Sequence, residues 1–212
     1  MSFITFEGPE GAGKSTQIKR LAAKLENAGR DVVLTREPGG APEAEALRAL
    51  LLDKDRSWSP TAEALLMNAA RDAHVRARIT PALDAGKTVL CDRFSDSTIA
   101  YQVGVDEAFL RALQTAVVPR MPDLTLLFDL PVEVGLARAE ARGAADRFEA
   151  KGEAYHRTVR ERFIAIAAEE PERVVIIDAE ASMDTVEKAV TEAVNARLPG
   201  LLGEPHGHPP AP

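Results

Sequence analysis

The sequence predicts an α/β fold in which a parallel five-stranded sheet carries helices on both of its faces. Five short segments are rich in Val, Ile, Leu and Phe and apolar on both sides, which is typical of strands buried in a parallel sheet. Longer stretches with helical spacing separate them, and this alternation favours right-handed crossovers between parallel strands. The predicted strands are 3–6, 31–35, 88–91, 124–128 and 174–177.

The helical segments and the end of the chain complete this organisation. The predicted helices lie near 15–29, 41–53, 60–85, 95–118, 131–141, 146–169 and 183–197. We expect one domain over 1–198, because no repeat or linker divides the chain and this length suits a single hydrophobic core. Residues 199–212 are rich in Pro and Gly and are predicted to be a disordered tail, with His206 and His208 solvated rather than bound to metal.

Composition excludes several classes of protein. The 212 residues include 26 Lys and Arg against 33 Asp and Glu, and the net charge of -7 argues against binding of nucleic acid or an anionic membrane. A single Cys, Cys91, excludes an internal disulfide or a Cys-rich zinc site. We expect a cytoplasmic protein, because the sequence shows neither a signal peptide nor an apolar run near ~18 residues. Of the basic residues 19 are Arg, which favours bidentate contacts to phosphate.

Residues 8–15, GPEGAGKS, match the phosphate-binding loop pattern and lie between a predicted strand and a predicted helix. The glycines let backbone N–H groups surround phosphate oxygens, and the helix N-terminus adds partial positive charge. In such a loop Lys14 contacts the β- and γ-phosphates of the nucleotide, and the Ser15 hydroxyl ligates Mg²⁺. The predicted ATP-binding residues are Gly8, Pro9, Glu10, Gly11, Ala12, Gly13, Lys14, Ser15 and Thr16.

A second metal ligand is expected at the end of another buried strand, where an Asp contacts the Mg²⁺ shell. Asp92 follows the predicted strand 88–91 and is our candidate, with capping of the next helix as the alternative. Asp129 is a weaker candidate for this metal ligand, because Pro131 follows it and the segment suits a turn from a strand into a helix.

The phosphate loop alone does not choose between a GTPase switch, a motor ATPase and a kinase. The Asn-Lys-x-Asp motif of GTPases is absent, since each of the three Asn is followed by Ala, and motor ATPases are usually larger. A kinase for a small acceptor needs a second anion pocket, because cations on both donor and acceptor stabilise the transferred group. The candidates are Arg36, Arg48, Arg71 and Arg93, with a solvated charge as the alternative for each.

Two predicted helices suggest a pocket for the base of that acceptor. Met67, Arg71 and His74 share one helical face. The second helix offers hydroxyl, aromatic and amide groups at four-residue spacing, namely Ser97, Thr98, Tyr101 and Gln102. The alternative is that Met67 belongs to the core and Gln102 to the surface.

A basic segment with a central glycine suggests a lid at about 138–150. Gly143 interrupts a helical pattern between Arg138, Arg142 and Arg147. Such a segment can close over ATP and exclude water, and a simple corner between two helices is the alternative.

Four blocks in this order resemble the thymidylate kinase family, over about residues 3–180. They are FEG and GKSTQ within 6–17, TREPGG at 35–40, DRF, DST and AYQ within 92–102, and PDLT at 122–125, ending at Asp129. Phosphate loops occur in many proteins, but the second and third blocks in combination are specific to this family. The resemblance implies a P-loop NTPase fold of the nucleoside monophosphate kinase type and a homodimer. It also implies transfer of the γ-phosphate of ATP to dTMP, giving dTDP in dTTP biosynthesis, with Mg²⁺ as cofactor.

The resemblance also implies roles for individual residues. Arg48 and Arg93 would hold the dTMP phosphate, Arg71 would reach a thymine carbonyl, and Tyr101 would lie against the sugar. The implied dTMP-binding residues are Glu10, Glu37, Pro38, Arg48, Met67, Arg71, Arg93, Ser97, Thr98, Tyr101 and Gln102. Residues 9–12 contain no Arg. The implied catalytic residues are therefore Lys14, Arg93, Arg142 and Arg147, with lid arginines as in the bacterial arrangement.

Two positions depart from the family pattern. Met67 stands where the family commonly has an aromatic residue against thymine, and the Gly- and Arg-containing loop after Gln102 is shortened to 103–106. A thioether can cover a ring face. Two alternatives stay open: a kinase for another acceptor, such as dUMP or a deoxynucleoside, and a nucleotide-binding regulatory protein with slow hydrolysis.

Overall fold

The centre of the fold is a parallel sheet with the strand order β2-β3-β1-β4-β5, as seen in a computed structural model. The structure describes residues 1–141, 143, 148 and 151–203. The strands are β1 Ser2–Glu7, β2 Val32–Arg36, β3 Thr88–Asp92, β4 Leu124–Asp129 and β5 Val174–Asp178. The predicted five-stranded parallel sheet is confirmed, because continuous apolar segments of this length are stable as strands covered on both faces.

Helices follow each of the strands. They are α1 Lys14–Asn27, α2 Pro42–Leu52, α3 Pro60–His74, α4 Thr80–Asp84, α5 Ser95–Tyr101, α6 Glu107–Val117, α7 Val132–Glu140, α8 Glu153–Glu169 and α9 Met183–Arg197. One π-helical turn, Val75–Ile79, joins α3 to α4. Among the described residues, no helix combines the length and the hydrophobicity needed to cross a membrane.

Three predicted helices differ from the observed ones. The segment 60–85 is not one α-helix, since the π-helical turn precedes Pro81, whose ring and missing N–H disturb the regular ladder. The segment 95–118 breaks at 102–106, where Gly104 has a φ of 93° and Asp106 caps α6 through the Phe109 N–H. The helix predicted from 146 begins at Glu153, directly after Gly152.

Both faces of the sheet are covered, as predicted. Ile4 and Phe6 pack with residues of α1 and α9 on one face. The alternate residue Phe3 packs with the π-helical turn and α4 on the other face, where Leu127 packs with α8. This alternation places every second side chain of β1 on the face that carries α3, α5 and α8.

The register of β1 and β3 brings two functional segments together. Phe6 is paired with Asp92, so the chain leaves both strands at the same edge of the sheet. The Arg93 N–H donates to the Phe6 carbonyl at 2.9 Å. The phosphate loop after β1 and the turn after β3 are therefore neighbours at the carboxyl ends of the strands, where α/β sheets bind their ligands.

Candidate active site

A cleft of about 460 Å³ lies at this edge of the sheet. It brings together the phosphate loop, the end of β2, and parts of α2, α3 and α5. The predicted site residues that the structure describes line this cleft, apart from Gly8, Pro9 and His74. The predicted lid residues Arg142 and Arg147 lie outside the described residues. Sequence reasoning did not identify Leu52, Phe94 and Phe148, which add apolar surface to the wall.

The phosphate loop is held tightly against its surroundings. Gly8 has a φ of 129°, and a Cβ at this position would lie 2.3 Å from the Phe128 carbonyl oxygen. A Cβ on Gly11 would lie 2.2 Å from the Gly135 carbonyl oxygen in α7. These two positions require glycine for both conformation and space.

Lys14 lies inside the loop rather than in open solvent. Its Nζ donates to the carbonyl oxygens of Gly8, at 3.0 Å, and Pro9, at 2.8 Å. Burial lowers the pKa of Lys14 to about 8, with a further contribution from the positive charge of Arg93. At neutral pH the amine is still mostly protonated, and it is positioned to exchange these carbonyl contacts for phosphate oxygens.

Ser15 and Asp92 bring two oxygen ligands together. The Ser15 hydroxyl donates to Asp92 Oδ2 at 3.0 Å, and both residues line the cleft beside Lys14. A hydroxyl and a carboxylate are the ligand types that Mg²⁺ prefers, so the residues present fit this ion. Asp92 does not cap α5, because Phe94 occupies the N-cap position and no side chain makes a capping hydrogen bond there. Asp129 is instead held in an ion pair: it accepts from Nε and one terminal nitrogen of Arg160, at 2.7 and 2.8 Å.

Arg93 connects the two sides of the cleft. Its guanidinium pairs with Glu10 and donates to the Gly8 carbonyl oxygen at 2.9 Å. It also lies 4.8 Å from the centre of the Tyr101 ring, whose hydroxyl donates to Glu10 at 3.4 Å. Burial raises the pKa of Tyr101, so the phenol stays protonated. One cation therefore contacts the phosphate loop and the acceptor side at once.

Arg71 is fixed by a set of buried acceptors. Its Nε donates to Glu37 at 2.8 Å, and one terminal nitrogen donates to Thr98 at 2.8 Å and to the Phe94 carbonyl at 3.1 Å. The other terminal nitrogen donates to Asn68 at 3.1 Å. With so many contacts, the guanidinium has one orientation towards the cleft.

His74 does not line the cleft, although the spacing of α3 placed it on one face with Met67 and Arg71. It is fully buried, with Nδ1 3.0 Å from Glu37 and Nε2 2.6 Å from Thr35. His74 therefore holds one oxygen of the Glu37 carboxylate, and the other oxygen of that carboxylate accepts from Arg71. The sequence prediction of a shared ligand-binding face is therefore wrong for His74.

The remaining candidates occupy the rim of the cleft. Arg48 donates to the Pro38 carbonyl at 2.7 Å, and Gln102 donates to Glu63 at 2.9 Å, so Gln102 is buried rather than on the surface. Arg36 also lines the cleft, but its side chain is 54% exposed and paired with Glu45. Arg48, Arg71 and Arg93 thus form the basic wall of the acceptor side.

Sequence reasoning also overlooked Glu7, the last residue of β1. Its carboxylate is buried beneath the cleft and accepts hydrogen bonds from the Phe94 N–H and the Ser97 hydroxyl. Two signals pointed to it: Glu7 belongs to the FEG block of the family resemblance, and it lies between a buried strand and the phosphate loop, where a charged residue needs partners.

This fold and this site define a class of protein. A five-stranded parallel sheet, a phosphate loop between β1 and α1, and a basic second pocket beside it are the features of P-loop kinases for nucleoside monophosphates. The chain is such a phosphotransferase.

Comparisons with known proteins identify the family. The family model described as Thymidylate kinase matches residues 6–190. The thymidylate kinase of Caulobacter vibrioides is 54% identical over 202 residues, which are 92% of this chain and 97% of that protein. The thymidylate kinase of Pseudomonas putida is 51% identical, over 94% of this chain and 97% of its own. The crystal structure of thymidylate kinase from Ehrlichia chaffeensis has a TM-score of 0.75 and 34% identity, covering 92% of this chain and 98% of that one.

The chain therefore belongs to the thymidylate kinase family. The reaction of this family is transfer of the γ-phosphate of ATP to dTMP.

Proposed function

We propose that the cleft binds ATP with Mg²⁺ on one side and dTMP on the other, and that the γ-phosphoryl group passes directly between them. The observation that carries the proposal is the position of Arg93, which contacts the phosphate loop at Gly8 and stands in the same cleft as Arg71. A cation between donor and acceptor can stabilise the charge that spreads over the transferred group.

On the donor side, the loop from Gly8 to Thr16 holds the phosphates of ATP. Lys14 neutralises the β- and γ-phosphates, and Ser15 with Asp92 would hold Mg²⁺, which neutralises phosphate charge when it is bound. The short distance between the Ser15 hydroxyl and Asp92 supports this assignment.

On the acceptor side, Arg48 and Arg93 bind the dTMP phosphate, and Arg71, held in place by Glu37 and Thr98, donates to a thymine carbonyl. Met67 covers the thymine ring. The other acceptor-side residues are Glu10, Pro38, Ser97, Tyr101 and Gln102.

Transfer is direct and in line, without a phosphoenzyme. Among the described residues that line the cleft there is neither His nor Cys. Cys91 lies in the core behind it, where burial raises the pKa of its thiol well above the usual range. The lid arginines Arg142 and Arg147 supply the remaining positive charge to the transition state.

ADP release measured with a panel of mononucleotides tests the proposal. Release that only dTMP stimulates supports it. Stimulation by dUMP or a deoxynucleoside instead would show another acceptor, which Met67 in place of an aromatic residue favours. Slow release that no acceptor stimulates would show a nucleotide-binding regulatory protein.

We also propose a cytoplasmic homodimer that binds neither nucleic acid nor membrane, in line with the net charge of -7.

A further inference from the structure

Glu7 is a buried carboxylate that cannot touch either substrate. It is 0% exposed, and it does not line the cleft. Its two oxygens are nevertheless fully engaged: one accepts from the Phe94 N–H at 2.7 Å, and the other accepts from the Ser97 hydroxyl at 2.5 Å. Both partners lie in the segment that follows β3, so Glu7 joins the end of β1 to the start of α5.

Both contacts are made by residues that follow Arg93 along the chain, at one and four positions after it. Arg93 has a φ of 67°, a left-handed conformation that is unfavourable for residues other than glycine and persists only where the surroundings impose it. The Arg93 N–H is held by the Phe6 carbonyl, and the next N–H, that of Phe94, is held by Glu7. Residues 6 and 7 together therefore fix the turn from which the guanidinium extends.

A second connection runs through side chains. A terminal nitrogen of Arg93 donates to Ser97 Oγ at 3.2 Å, and the Ser97 hydroxyl donates in turn to Glu7. The chain from guanidinium through hydroxyl to carboxylate gives Arg93 a preferred orientation and a buried counter-charge. Hydrogen bonds to charged groups are stronger than neutral ones, so this orientation is well defined.

A carboxylate at this place is costly for the fold. Burial, together with the negative charge of Asp96, raises the pKa of Glu7 to about 7. A neutral side chain of the same shape would avoid this cost, since a buried charge is weak evidence for stability. Costly ionisable groups of this kind are concentrated at functional sites.

We infer that Glu7 is a positioning residue that fixes the Arg93 guanidinium for the acceptor phosphate, through the Ser97 hydroxyl and the Phe94 N–H. This inference rests on the proposed role of Arg93 in binding the dTMP phosphate. Glu7 acts from beneath the cleft, and it links the geometry of the acceptor site to the strand that leads into the phosphate loop.

Steady-state kinetics of Glu7→Gln, with Thr5→Val as the matched control, test the inference. Thr5 lies on the same face of the same strand, is equally buried, and shares a 2.7 Å hydrogen bond with Thr125 remote from Arg93. We expect Glu7→Gln to raise the KM for dTMP about tenfold, as loss of an orienting partner commonly does, and to change the KM for ATP less than about twofold. Thr5→Val should leave both KM values near those of the unaltered protein.

Two further variants make the outcome unambiguous. Glu7→Asp keeps the charge but shortens its reach to the Ser97 hydroxyl and the Phe94 N–H, so it should also raise the KM for dTMP selectively, which keeps the inference testable if Glu7→Gln does not fold. A Glu7→Gln protein with circular dichroism of the folded state and an unchanged KM for dTMP overturns the inference, as does an equal rise for both substrates. Arg93→Ala tests the proposed function itself: if it leaves the KM for dTMP unchanged, that proposal fails, whereas an effect of Arg93→Ala without one of Glu7→Gln overturns only the role of Glu7.

Discussion

At the scale of single residues, Lys14 combines burial with a positive charge. Its pKa of about 8 means that the amine loses its proton just above neutral pH. Phosphate oxygens favour the protonated form, so binding of ATP takes up a proton when the solution is more alkaline than the pKa. We expect the affinity for a non-hydrolysable ATP analogue to be constant below pH 8 and to fall up to about tenfold per pH unit above it.

Calorimetric titration between pH 6.5 and 9.5 measures this dependence. Lys19→Ala is a suitable control, because Lys19 lies on the same helix but is exposed to solvent. An affinity that does not change between pH 8 and 9.5 would contradict the assignment of Lys14 to the phosphates.

Lys14→Ala should abolish turnover and leave the protein folded.

Glu7 gives a prediction about stability with a defined sign. Its pKa is about 7 in the folded protein against 4.5 for an ordinary glutamate, so between these values the folded state holds a proton that the unfolded state has lost. Its contribution therefore disfavours folding as the pH rises from 4.5 to 7. We expect the free energy of unfolding of Glu7→Gln, relative to the unaltered protein, to increase by about 2.5 kcal/mol between pH 5 and pH 8.

Urea unfolding at several pH values measures that difference. Other carboxylates, such as Glu45 and Glu170, have lowered pKa values, so their contributions to the free energy of unfolding grow as the pH rises. Both proteins contain these residues, so their contributions cancel in the difference between the two. A difference that is independent of pH would show that Glu7 is not protonated in this range.

Residue spacing predicted much of the site because short-range geometry determines it. Lys14 and Ser15 follow from the loop pattern, and the four-residue spacing of Thr98 and Gln102 places both in the cleft. His74 was assigned wrongly, because residues on one face of a helix can point partly into a cleft and partly into the core, and helical spacing does not distinguish the two. Glu7 was not identified, since its partners are 87 and 90 residues away and only the tertiary structure brings them together.

At the scale of elements, a buried ion pair connects α5 to the segment just before β5. Arg173, just before β5, contacts Asp96 at 2.7 Å, and the two side chains are 10% and 6% exposed. It also donates to Thr125 in β4 at 2.7 Å. Removal of one partner leaves the other charge buried and unpaired, so we expect Arg173→Met to reduce the free energy of unfolding by about 3–5 kcal/mol.

Urea denaturation tests this expectation with two comparisons. The double variant Asp96→Asn/Arg173→Met should recover most of the loss, because no charge is then left uncompensated. Arg197→Met, which removes a pair with the almost fully exposed Glu172, should cost no more than about 1 kcal/mol. A loss at Arg173 as small as the loss at Arg197 would contradict the buried-pair interpretation.

The proposed lid provides a prediction about catalysis. If Arg142 stabilises the transferred group as an arginine finger does, Arg142→Ala should lower kcat by about 10³ or more. Arg138 is a weaker candidate for that role, because its guanidinium donates to the carbonyl oxygens of Ala179 and Glu180. Single-turnover kinetics measure the effect, with Arg111→Ala as a surface control. An unchanged kcat for Arg142→Ala would transfer the role to Arg147 or Arg138.

Elements were predicted better where a single pattern determines them. All five strands were located to within one residue at each end, because short, strongly apolar segments separate the helical patterns, even though the edge strands expose Leu34 and Ile176. The helices were predicted too long where a local feature interrupts a continuous pattern. The π-helical turn before Pro81 and the break at Gly104 depend on backbone adjustments that hydrophobic spacing does not report.

At the scale of the whole molecule, ligand binding should be visible as stabilisation. dTMP at about 100 times its Kd adds about 2.7 kcal/mol to the folded state, and for a protein of this size such a gain raises the Tm by about 5–10 °C. We expect thymidine at the same concentration to give a clearly smaller shift, because it lacks the phosphate that we propose Arg48 and Arg93 bind. Thermal denaturation with both ligands is the measurement, and equal shifts would contradict the assignment of these arginines.

The close approach of Gly11 and Gly135 brings the backbones of the phosphate loop and α7 into direct contact. No side chain separates the phosphate loop from α7 at this point, and a Cβ on either residue would collide with the backbone of the other segment. The loop and the helix therefore behave as one rigid mechanical part. Because α7 ends at Glu140, within the proposed lid at about 138–150, we expect a displacement of the loop by an arriving nucleotide to move the base of that lid as well.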